Sequence, residues 1–178
     1  MPDISIVPEF PGKRIDQPKF AARRNGGAAF GSLTNGGSVS TCSSITGRVE
    51  EFPELAREFP EVQIILNHTG MQVDGPDFFE GWRSGMNVLA QAPNVACKIS
   101  GLGMGDWTWT TESIRPYVEE AINAFGTDRC MFASNFPVDK LFSSYDAIWN
   151  AFKAITGSFT LDERHILFYR NAERFYQL

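Results

Sequence analysis

Two histidines occur in the chain, and one of them stands where a backbone would present it for chemistry. His68 closes the run VQIILNHTG (62–70), in which Val62, Ile64, Ile65 and Leu66 read as a short strand covered on both faces. A strand that delivers an imidazole at its carboxyl end is how parallel α/β folds present a base, a polarising donor or a metal ligand. The plainer reading is a buried histidine that satisfies its own hydrogen bonds. Lys98 lies inside NVACKIS (94–100), an otherwise apolar segment where an unpaired ammonium is unusual. It suits an oxyanion or a carboxylate, or it reaches solvent at the sheet edge. Asn135 follows RCMFAS (129–134) in the motif SNFPVD. Its amide donates and accepts hydrogen bonds but cannot act as a base near neutral pH, and an Asx-type turn before Pro137 is the structural alternative. Asp139 and Lys140 read as surface charges beyond that motif, His165 as a structural residue of a terminal helix, and Arg115 and Asp128 as scaffold ion-pair or cap residues.

These residues need a frame. EEFPELAREFP (50–60) reads as a helix stopped by Pro60. Strand VQIILN follows, then a loop with Gly75 and Pro76. Residues 77–91 place Phe78, Trp82, Met86 and Leu89 at helical spacing, with Asp77 near the amino end. After strand 94–100 and the loop GLGMGDWTW, residues 112–125 align Ile114, Tyr117, Val118, Ala121 and Ile122 on one helical face, with Gly126 as the stop. The strand RCMFAS comes next, then two helices within 144–156 and 161–177. Alternation of this kind predicts βαβ units around a parallel sheet. Asn67-His68, Ser100-Gly101 and Ser134-Asn135 all fall at strand carboxyl ends and should share one face.

The 178 residues suffice for one domain with a sizeable core, and 43% are hydrophobic. A net charge of −5 without a basic run argues against nucleic acid as a partner. No apolar stretch approaches the roughly 20 residues that span a bilayer, and the amino terminus has no signal-like apolar region. Cys42, Cys97 and Cys130 form no CxxC pair and are expected to be reduced thiols in the cytoplasm. Residues 1–47 are expected to be irregular. Within them, 25–47 are rich in Gly, Ser, Thr and Asn and have no charge, the composition of a flexible linker. The preferred reading is an out-of-frame stretch, with a true flexible linker as the alternative: the codons allowed for Asn25 to Thr46 also permit WRRGFRFAYERRLSFDLQLYH in a shifted frame.

FPELAREFPEVQIILNHTG, PNVACKISGL, FGTDRCMFASNFPVDKL and the closing RNAERFYQL resemble the C-terminal half of the amidohydrolase-related, metal-dependent-hydrolase-like TIM barrels, in the branch of sugar lactonases. The likeness covers residues 48–178, and the shifted-frame string resembles the family's segment directly upstream. The resemblance implies an α/β fold made of the C-terminal part of a TIM-type barrel, with His68 closing the sixth strand, Lys98 in the seventh and Asn135 ending the eighth. It implies a hydrolase that opens a lactone or similar cyclic ester of a sugar acid by water attack; amide hydrolysis and decarboxylation are the alternatives in the superfamily. His68 would then be base or polarising group, Lys98 an oxyanion stabiliser, and Asn135 an orienter of water or substrate. Asn67, Trp107 and Trp109 would contact the substrate, the two tryptophans otherwise serving as an aromatic loop plug.

Many relatives carry aspartate at the position of Asn135, where it binds a divalent metal such as zinc or acts as a base. An amide is a poor zinc ligand, and two histidines cannot supply the family's usual His-x-His pair besides His68. No metal is therefore expected here, His68 being the one candidate ligand. A complete barrel needs eight strands and about 250 residues, so the expectation is the second half of an enzyme, either active or a catalytically inactive fragment. Its expected partners are a small-molecule substrate and, through exposed sheet edges, other copies of itself.

Overall fold

The computed structural model describes residues 29–34, 37–42, 51–71 and 78–178. Their elements run β1 (Ala29–Thr34), β2 (Gly37–Cys42), α1 (Glu51–Glu58), β3 (Gln63–Leu66), the short turn α2 (His68–Met71), α3 (Phe79–Ala90), β4 (Val95–Ile99), α4 (Thr111–Phe125), β5 (Cys130–Phe132), α5 (Tyr145–Ile155), α6 (Leu161–His165) and α7 (Asn171–Tyr176). A π-helical turn, Ile166–Arg170, joins the last two helices. The sheet has the spatial order β1-β2-β3-β4-β5. β1 and β2 are antiparallel, and β2 through β5 are parallel, with Ile65 opposite Ala96 and Lys98 opposite Met131. Apart from α2, the strands and helices from α1 onward lie where the sequence predicts them, the last expected helix being divided by the π-helical turn, and the chain folds as an incomplete TIM-type barrel.

The difference lies upstream. Composition predicts irregular chain through residue 47, yet β1 and β2 form within it. The physical reason is that a strand edge offers backbone N–H and C=O groups that pair with any extended segment, whatever its side chains: β3 offers them to β2, and β2 to β1. Asn35-Gly36, the sequence between the two strands, is the dipeptide that tight hairpin turns favour, a signal that bulk composition hides. The remaining expectations for residues 1–28 and 43–50, and those for Gly75, Pro76 and Asp77, lie outside the described residues.

Alternation along the strands sorts side chains onto two faces. Ile64, Leu66, Val95, Cys97, Ile99, Cys130 and Phe132 face the helices and join one continuous core with residues such as Met86, Val118 and Phe152. Phe132 stacks on Phe152 with ring centroids 4.4 Å apart. The opposite face carries Ile65, Ala96 and Met131, covered by Phe175 of α7. Lys98, two residues beyond Ala96, belongs to this second face.

Polar side chains fasten the frame at the amino ends of the strands. Asn94 Nδ2 donates to the carbonyls of Ala56, Phe59 and Val62, tying the end of α1 to the start of β4. Arg129 donates to the carbonyls of Ala90, Ala92, Val95 and Phe125, so one guanidinium serves acceptors at the ends of both α3 and α4. Asn171 Nδ2 joins α7 to the carbonyls of Thr127 and Cys130. Helix starts follow local rules. Thr110 and Ser113 form a capping box on α4, and Thr160 with Glu163 another on α6. Gly126 ends α4 with φ 78°, as its position in the sequence predicts. Among the described residues no helix is long and apolar enough to cross a membrane.

Candidate active site

The carboxyl ends of β3, β4 and β5 open onto one face, and the chain behaves unusually there. Directly after β3 it winds left-handed through three residues: His68 (φ 52°), Thr69 (φ 49°) and Gly70 (φ 78°). Glycine accepts this region, but a histidine and a β-branched threonine do so at a cost of order 1–3 kcal/mol each. Two hydrogen bonds grip the turn. The Gly70 N–H donates to the Asn67 carbonyl at 2.9 Å. The Trp82 indole N–H, from α3, donates to the Thr69 carbonyl at 2.7 Å in a buried setting.

The turn lays the imidazole across β4. His68 Nδ1 lies 2.9 Å from Ser100 Oγ, and Ser100 is fully buried. A Cβ on Gly101 would stand 2.9 Å from Nδ1, so the absence of a side chain there makes room for the ring. Gly101 also has φ 66°, which favours glycine independently. With Nδ1 engaged by Ser100, Nε2 is left for a water or substrate. It is a lone-pair base if Nδ1 carries the proton and a donor if Ser100 donates.

Burial pushes the pKa of His68 down to about 4, with the Lys98 ammonium contributing second. The imidazole is therefore neutral across the physiological range. Lys98 is half-buried, and burial lowers its own pKa as well. Among the described residues no carboxylate pairs with it. A desolvated ammonium without a counter-ion favours any group that develops negative charge nearby.

Asn135 also adopts the left-handed region, with φ 57°. Its Nδ2 donates to Asp139 Oδ1 at 2.7 Å, and its carbonyl accepts from the Asp139 N–H at 3.1 Å. The side chain therefore bonds forward to a carboxylate instead of closing an Asx-type turn on its own backbone. Asp139, expected on the surface, is 1% exposed. Burial raises its pKa, and the bond from Asn135 opposes that shift. Since Asp139 takes one of the two amide N–H groups, the other N–H and the Oδ1 acceptor of Asn135 are left for other partners. Lys140 is exposed as expected.

The other candidates divide. Asn67 is half-buried, and its Oδ1 has no hydrogen-bond partner among the described residues. Trp109 packs against the main core, and its buried indole Nε1 has no hydrogen-bond partner among the described residues. Trp107 is 71% exposed, its ring 5.9 Å from Phe142. His165 stacks on Tyr169 at the surface. Sequence reasoning passed over Trp82 and Asp139, and it noted Ser100 only as a strand end. Each looks ordinary in the sequence, as core aromatic, surface charge and loop serine.

Among the described residues no cluster of three or more His, Cys, Asp and Glu is arranged to hold a metal ion. The donors present are one imidazole, one carboxylate already bonded to an amide, and an ammonium. They do not make up a zinc ligand set.

Residues 38–178 match the amidohydrolase family, and the chain belongs to it. It is 76% identical over 131 residues to an uncharacterized protein of Sinorhizobium fredii, y4mH, a match that covers 74% of this chain and 44% of that protein. It is 31% identical to an L-fucono-1,5-lactonase of Burkholderia ambifaria, across 70% of this chain and 44% of the relative. A crystal structure of an amidohydrolase from Burkholderia multivorans with bound zinc superposes with a TM-score of 0.68 at 28% identity, covering 74% of this chain and 49% of that one. The chain thus spans less than half the length of the curated relatives it matches.

Proposed function

We propose that this chain supplies the half, bearing His68, of a hydrolase that opens a lactone, or a similar cyclic ester of a sugar acid, by attack of water. The observation that carries the reading is the neutral, Ser100-bonded imidazole of His68 at the carboxyl end of β3, within electrostatic reach of Lys98. The likeness to L-fucono-1,5-lactonase supports a sugar-acid lactone as substrate class. His68 Nε2 takes a proton from the attacking water or polarises the carbonyl. The Lys98 ammonium stabilises the oxyanion as it forms. Asn135 Oδ1 accepts from water or from a substrate hydroxyl, and Asn67, Trp107 and Trp109 contact the sugar acid. The test is turnover by the purified chain on L-fucono-1,5-lactone and other sugar-acid lactones. We expect hydrolysis that falls by about 10² or more in His68→Ala, the usual scale for a lost general base. Background rates, or equal rates for both proteins, would end the proposal.

A second reading is a non-catalytic fragment that associates with further copies of itself. It is favoured by the sheet, in which β1 and β5 have a neighbouring strand on one side only among the described residues.

A further inference from the structure

We infer that Trp82 is a positioning residue for His68, acting through the backbone of the left-handed turn between them. The turn cannot owe its shape to local preference. Two of its three left-handed residues are His68 and Thr69, for which right-handed or extended backbone is cheaper. Something outside the turn must hold it, and apart from the Ser100 contact of the His68 ring itself the described contacts point to one group. The Trp82 indole N–H reaches the Thr69 carbonyl at 2.7 Å, and Thr69 is fully buried. If that donor is removed, a buried carbonyl loses its partner while the neighbouring residues keep their backbone strain. Both effects drive the turn toward an ordinary conformation. Rotation about the His68 backbone then lifts the ring from Gly101 and breaks its 2.9 Å contact with Ser100.

Trp82 is itself well fixed. It is 8% exposed, and its ring lies 5.5 Å from Phe79 and 5.1 Å from Tyr117. α3 thereby acts on the His68 side chain through the backbone of the neighbouring residue. The catalytic consequence rests on the reading of His68 proposed above. The structural claim does not, since it concerns only where the imidazole sits.

The test uses the two imidazoles of the chain, His68 and His165, followed by NMR titration in the full-length protein. Trp82→Phe keeps an aromatic ring and removes the donor. We expect the His68 midpoint to rise by about one pH unit toward the ordinary histidine value as the ring gains solvent, with His165 unmoved. Phe79→Leu is the packing control: it trims the same aromatic cluster, should lower the melting temperature, and should leave His68 where it is. A folded Trp82→Phe protein with an unshifted His68 would overturn the inference, as would an equal shift in Phe79→Leu. If Trp82→Phe does not fold, exchange of the Trp82 indole proton in the native protein decides. Slow exchange relative to the exposed Trp107 supports the bond, and equal exchange removes it. Absence of lactone turnover would defeat the proposed function and leave these measurements standing.

Discussion

The behaviour of the site comes down to which side chains stay uncharged and which do not. His68 is neutral because burial penalises imidazolium and the Lys98 ammonium repels it. Lys98→Met removes the second cause and keeps the first. The His68 midpoint should therefore rise above about 4 yet stay below the ordinary 6.5, which NMR titration of the two imidazoles would show. The same shift makes a stability prediction. Between pH 6.5 and about 4 the unfolded chain protonates His68 while the folded chain does not, so ionisation favours unfolding as pH falls through that window. Urea midpoints for the wild type should thus drop across it more steeply than those for His68→Phe, in which the group is gone. Parallel curves would show that His68 is not held neutral. Asp139 shows how far a side chain can depart from its sequence reading. It looks like a surface charge and is instead the buried acceptor that orients the Asn135 amide.

At the scale of elements, the opposite ends of the strands do different jobs. The amino ends are stapled by amides and a guanidinium that satisfy loop and helix-end carbonyls, whereas the carboxyl ends carry the strained turns. Asn94→Ala should therefore cost about 1–3 kcal/mol, because three carbonyls lose one shared donor. It should leave the His68 titration unchanged, since the staple lies at the other end of β3 and β4. Chemical denaturation with a parallel NMR titration checks both halves, and a shift of His68 in this variant would contradict the separation of roles. Helix boundaries such as the Thr110 and Thr160 caps and the Gly126 stop follow from neighbouring residues and can be read without tertiary structure.

Taken as a whole molecule, the chain is an incomplete barrel whose parallel sheet is covered by helices on one face and by Phe175 with its neighbours on part of the other. The outer strands β1 and β5 each lack a neighbour on one side among the described residues. Sedimentation velocity across a concentration series should show reversible association that grows with concentration, the expected behaviour of paired sheet edges. A single monomeric species at every concentration would remove self-association as a partner proposal.

Apolar periodicity and its breakers were enough to place β3, β4, β5 and the intervening helices, and hence to bring His68, Lys98 and Asn135 to the sheet as candidates. That information is local: a strand or helix reveals its buried face within a few residues. What the periodicity could not contain is the set of contacts that gives those residues their chemistry. Ser100 meets His68 across 32 positions, and Trp82 reaches Thr69 across 13. Asp139 is only four residues from Asn135, yet its burial depends on the packing around it. No residue type at 68 or 69 announces a left-handed turn, because the conformation is disfavoured locally and held by a partner on another helix. The strands β1 and β2 show the same dependence in reverse, since their weakly apolar residues become strand where β3 supplies hydrogen bonds to β2 and β2 supplies them to β1.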